Sequence, residues 1–271
     1  MNHFFFISLC IGIGAVSGFL GGLLGIGGGV VIVPALIILL DVMAFLPAEQ
    51  VTAVAVATSL SCVLFTSLSA ALTQVRAGMV NWLVVRRWAP FLILGSYLAG
   101  WIATALPLIL FRGFIGLFLL FVAFVMLTSW KPGPHRQAPG LLPSALLGVG
   151  GGVVSGIAGI GGGNVVVPTL IYFNTPVHRA TATSSTLGVP IALAGCLGYL
   201  SVGYGNDLGE GMVGYIYVPG FLAITAAAVA LAPVGVRIAH RVESQPLRRA
   251  FGILLVLVST RMLYTALAVS P

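Results

Sequence analysis

The sequence predicts an all-α integral membrane protein built from two inverted-topology repeats. The expected content is eight full transmembrane helices plus two Gly-broken re-entrant or hairpin segments, eight to ten spans in all. Three observations lead there. Hydrophobic residues make up 59% of the 271 positions and charged ones 6%, and several apolar runs exceed the roughly 18 residues that mark a spanning helix. The stretch Gly25, Ile26, Gly27, Gly28, Gly29 with Pro34 returns as Gly159, Ile160, Gly161, Gly162, Gly163 with Pro168. Finally, the basic residues obey the positive-inside rule only if the two halves are inverted.

The first apolar run, 4–40, would make a helix of roughly 55 Å, nearly double a ~30 Å hydrocarbon core. It must fold back, and its glycines are where it can turn. Met1, Asn2 and His3 carry no Lys or Arg before it, and a copy of the run opens the second half, so it reads as mature fold rather than signal peptide. A small-residue helix follows over 48–72, then two ordinary spans over 82–106 and 112–130. The polar, proline-rich segment 131–140 is the linker. The second half repeats the order, with a broken run at 141–173, a small-residue helix at 179–201 and spans at 213–237 and 248–268. The copying extends past the glycines: Thr58 and Ser59 match Ser185 and Thr186, Gly78 matches Gly211, Gly100 matches Gly235, Arg112 matches Arg248, and Met126 matches Met262. The chain therefore divides into a first repeat, 1–130, a linker, 131–140, and a second repeat, 141–271.

Charge sets the orientation. Arg76, Arg86 and Arg87 cluster after the second segment of the first half, whereas the equivalent loop of the second half, 202–212, holds Asp207 and Glu210 and no Lys or Arg. There the basic residues come one loop later, at Arg237, Arg241, Arg248 and Arg249, and Lys131 and Arg136 mark the linker. Segments 73–88, 131–140 and 238–249 then lie in the cytoplasm, with 202–212 and both termini outside. This requires each broken run to enter and leave on the same side. Two full crossings per run and a re-entrant hairpin both satisfy it.

Irregular backbone at membrane depth must be buried in protein or line a polar cavity. Gly27, Gly28 and Gly29, with Gly161, Gly162 and Gly163, can expose successive amides, and the following helix adds the positive end of its dipole. Together these form an anion-binding nest. Close helix packing is the other use of such glycines. Pro34 and Pro168 suit the first turn of a helix. Thr58, Ser59, Ser185 and Thr186 are copied hydroxyls suited to an oxyanion, or to interhelical hydrogen bonds. Asn164 stands where the first half has Val30.

All five carboxylates, Asp41, Glu49, Asp207, Glu210 and Glu243, fall in expected loops or at helix ends, so a buried acidic proton relay or a midplane cation site is disfavoured. Cys10, Cys62 and Cys196 are isolated and read as buried thiols. The net charge of +7 is scattered and too small for a nucleic-acid surface. No paired catalytic carboxylates, Ser/His/Asp set or His-rich motif stands out. We therefore expect no enzyme, no catalytic residue, no metal and no cofactor; the partners are a small anion and the lipid bilayer, with oligomeric state open. His178 and Arg179 read as a vestibule or as interfacial anchors. Arg261, inside the last helix, is either functional or snorkels outward.

The pattern Gly22 to Pro34 and Gly156 to Pro168, with Ala53 before Thr58 and Ser59, Ala180 before Ser185 and Thr186, and Gly235, Arg237 and Ala239, resembles the TauE/SafE sulfite exporter family over essentially the whole chain. The resemblance implies a permease of the bacterial cytoplasmic membrane that exports sulfite or a small organosulfonate such as sulfoacetate. A passive anion channel, or a permease for another small organic anion, is the alternative. Val30 in place of a second Asn departs from the paired pattern.

Overall fold

The computed structural model describes residues 3–24, 27–44, 46–128, 140–205, 208–239 and 245–268. Among them the first half folds as α1 (His3–Leu24), α2 (Gly29–Met43), α3 (Ala48–Arg76), α4 (Trp82–Ala105) and α5 (Leu108–Thr128). The second folds as α6 (Leu141–Ile157), α7 (Gly163–Tyr172), α8 (Val177–Gly203), α9 (Val218–Ala239) and α10 (Gln245–Ala268). The linker lies outside the described residues. Each glycine-broken run is a helical hairpin, α1–α2 or α6–α7, and each half adds three long helices.

The chain is an all-α integral membrane protein. Among the described residues seven helices, α1, α3, α4, α5, α8, α9 and α10, are long and apolar enough to cross a membrane, and the three shorter ones lie in the hairpins. Their glycine breaks leave α2, α6 and α7 with 15, 17 and 10 residues. At ~1.5 Å per residue α7 reaches about 15 Å, half of a hydrocarbon core.

A short antiparallel ladder, β1 (Met212–Val213) with β2 (Ile216–Tyr217), precedes α9. The span expected from 213 therefore starts at Val218. Gly211 and Gly214 take positive φ, and Tyr217 donates its amide to Thr58 Oγ1 at 2.9 Å, so this segment is fixed as a hairpin against α3. Asn81 caps α4 by accepting from the Val84 amide.

Helices α3 and α8 form the centre and run antiparallel: Ser61 Oγ lies 3.3 Å from Cys196 Sγ, while Ser67 meets Gly188. Helices α5 and α10 are also antiparallel, with Gly116 against Leu263 and Gly252 against Leu127. By contrast α1 runs parallel to α9, where Gly14, Gly18 and Gly22 meet Ile224, Ala228 and Ala232. Helix α6 runs parallel to α4 in the same manner, with Gly148, Gly152 and Gly156 against Phe91, Leu92 and Ala99. Small residues let these backbones touch, the usual basis of helix association in lipid. The three cysteines are buried and free.

Candidate functional site

The two glycine turns meet near the middle of α3 and α8. Gly28 (φ 75°) and Gly162 (φ 77°) are the N-caps of α2 and α7, and Gly27 and Gly159 also take positive φ. Only residues without a Cβ reach this region cheaply. A side chain on Gly29 would strike the carbonyl of Gly159, and one on Gly27 would come within 3.5 Å of Gly161 Cα. The turns thus close directly on one another. Val63 and Ser67 of α3 and Gly188 of α8 pack around them. Gly25 and Ile26 lie outside the described residues.

The first hydrogen bonds of α2 and α7 run from Val31 and Ile32 to the Gly28 carbonyl, and from Val165 and Val166 to the Gly162 carbonyl. Among the described residues the amides of Gly27, Gly28, Gly29 and Val30, and of Gly161, Gly162, Gly163 and Asn164, donate to no acceptor. This is the orphan set every helix N-terminus carries, here lengthened by the glycine turn. Pro34 and Pro168 sit in the second turn of their helices, not the first. Lacking an N–H, each leaves the carbonyl four residues earlier, Val30 or Asn164, without its helical donor.

The hydroxyls named from the sequence are largely committed. Thr58 accepts from Tyr217, as above, and Ser59 Oγ donates to the Gly159 carbonyl at 2.8 Å, which ties α3 to the second turn. Ser185 and Thr186 bond back to the carbonyls of Thr181 and Ala182 within α8. Asn164 is different: 8% exposed, its Nδ2 has no partner.

Two further buried side chains with unpartnered oxygens stand beside the turns, and sequence reasoning missed both. Ser67 Oγ would lie within 3.4 Å of a Cβ on Gly27 and 3.1 Å of one on Gly161, so it bridges the two turns. Ser155 Oγ lies near Gly162. Their signal was weak. Ser67 is one of many hydroxyls in α3, and Ser155 is an isolated serine in the run already singled out for its glycines. The groups gathered here are amides and hydroxyls, which suit a hydrogen-bonding anion and need no protein charge.

A second polar cluster lies at the far end of α2, about 18 Å from its glycine cap. Arg112 of α5, only 3% exposed, holds Asp41 at 2.7 Å through its Nη2 and donates from Nε to Thr52 Oγ1 at 3.0 Å. It pins the ends of α2, α3 and α5 together. Arg261 is exposed on α10 and does not enter the interior; His178 and Arg179 are exposed at the start of α8.

A family model described as sulfite exporter TauE/SafE matches residues 10–262. A curated Haemophilus influenzae protein named "Probable membrane transporter protein" is 31% identical over 96% of this chain and 98% of its own. Proteins with the same description from Methanocaldococcus jannaschii and Bacillus subtilis are 28% and 25% identical, over 89% and 93% of this chain and 90% and 95% of theirs. No solved structure matches.

Proposed function

Because the chain belongs to the TauE/SafE sulfite exporter family, we propose that it is a secondary transporter, not an enzyme, that exports a small sulfur oxyanion across the bacterial cytoplasmic membrane. The cargo is sulfite or an organosulfonate such as sulfoacetate. The observation that carries this reading is the meeting of two helix N-termini, with amides and three buried polar side chains, Ser67, Ser155 and Asn164, that have no partner among the described residues. Helix N-termini favour negative charge. The glycine amides (Gly27 to Gly29, Gly161 to Gly163) and Asn164 bind the anion. Ser59 fixes the second turn, Thr58 fixes the α9 hairpin, and Ser185 and Thr186 line α8.

Transport proceeds by alternating access between inverted repeats, 1–130 and 141–271, a reading that the packing directions support. The antiparallel contacts of α3 with α8 and of α5 with α10 are what an inverted repeat gives its equivalent helices. The turns touch in the closed form, so an anion binds when they part. An interior-negative potential favours efflux by about 2.3 kcal/mol per charge per 100 mV, and export needs no buried carboxylate. The linker is then cytoplasmic and the termini are outside.

Counterflow in proteoliposomes tests this. Vesicles preloaded with unlabelled sulfite are expected to accumulate labelled sulfite transiently and saturably. Linear, non-saturating flux would indicate a passive channel instead, and flux of cations without sulfite or sulfonate would remove the proposal.

A further inference from the structure

A cavity of about 940 Å³ opens beside the second turn, between α5, α6 and α7. Phe114, Phe118 and Phe121 of α5, Leu147 of α6 and Tyr172 of α7 give it apolar walls. Phe121 and Leu147 are 47% and 43% exposed, so the cavity opens at the apolar outer surface of the helix bundle. Its polar lining includes Thr169, whose hydroxyl is committed to the Val165 carbonyl, and Asn164, whose buried Nδ2 has no partner among the described residues. Asn164 directly follows Gly163, so the apolar cavity and the glycine turn share one side chain. The first half has Val30 at that position, fully buried; the arrangement is one-sided.

Resting on the sulfur-oxyanion reading above, we infer that the ligand class includes sulfonates with an apolar tail. The sulfonate lies at Asn164 and the second glycine turn, and the tail lies in the cavity, entered sideways from the bilayer. The volume is far larger than sulfite requires and falls in the range of small-molecule sites. A lipid acyl chain would leave the buried Asn164 Nδ2 without an acceptor, and a buried donor left so is penalised. An amphipathic anion satisfies both ends.

The test is isothermal titration of methane-, butane- and hexanesulfonate, with sulfite as reference, into the protein in lipid nanodiscs and into empty nanodiscs. Affinity is expected to rise about fourfold for each methylene the cavity covers, from ~0.8 kcal/mol per buried CH₂. Leu147→Trp, which narrows the cavity from its rim, is expected to remove the chain-length gain and leave sulfite binding unchanged. Phe121→Ala, which widens it, keeps the gain. Asn164→Ala weakens every sulfonate by a similar factor. Equal binding of all three sulfonates would overturn the inference and leave the anion site standing, as would a chain-length gain that survives Leu147→Trp. No binding of sulfite or any sulfonate would instead remove the transporter reading on which it rests.

Discussion

Single atoms decide most at the glycine turns. Gly29 has no room, because a Cβ there meets backbone of the opposing turn. Gly29→Ala is therefore expected to force the turns apart, destabilise by about 1–3 kcal/mol and lower sulfite flux at least tenfold in proteoliposomes. Gly162 differs. A Cβ there meets the flexible end of Ile191, so Gly162→Ala carries mainly the left-handed backbone penalty of about 1–2 kcal/mol and still folds. A larger melting loss for Gly162→Ala than for Gly29→Ala would contradict this account of the turns. Asn164→Ala removes an amide whose Nδ2 has no partner among the described residues; flux should fall while the melting temperature stays within a degree or two. At Arg112, Asp41→Asn strands a buried guanidinium. The loss should be smaller than the roughly 3–5 kcal/mol of a fully buried pair, because Asp41 is 33% exposed. The double variant Asp41→Leu with Arg112→Met should recover much of it; additive losses in thermal melts would speak against a buried ion pair here.

At the scale of elements, glycine has two jobs that sequence alone does not separate. Gly18 in α1 and Gly152 in α6 lie backbone to backbone with α9 and α4, whereas Gly12 and Gly150 on the same helices face open space. Gly18→Ala and Gly152→Ala should each lower the melting temperature by several degrees. Gly12→Ala and Gly150→Ala should be neutral or stabilise by up to about 1 kcal/mol, through helix propensity. Four equal shifts would show that these helices do not pack as described. The helices and both hairpins were legible because length and hydropathy leave few choices. What escaped notice depended on partners distant in sequence. The Met212–Tyr217 hairpin is held by Thr58, more than a hundred residues away, and Ser67 matters only because two turns converge on it. Pro34 and Pro168 were misjudged by one turn, because the left-handed caps at Gly28 and Gly162 start their helices earlier than the prolines suggested. The copied hydroxyls were found, but their commitments to Tyr217, to Gly159 and to α8 itself depend on packing.

For the whole molecule, the proposed inversion would put equivalent ends of α3 and α8 on opposite sides of the membrane. Ala77 and Tyr204, just past those ends, are both exposed. With the native cysteines replaced, Tyr204→Cys should react with an impermeant maleimide applied to intact cells, and Ala77→Cys only after the membrane is opened. Labelling of both from one side would contradict inverted repeats. The central claim, that paired glycine turns carry a sulfur oxyanion, is tested most directly by labelled-sulfite uptake into proteoliposomes under an imposed interior-positive potential. The account predicts saturable uptake that rises with the potential and is lost in Asn164→Ala and Gly29→Ala, with sulfoacetate competing. Uptake no greater than in protein-free vesicles, or uptake indifferent to both substitutions, would contradict it.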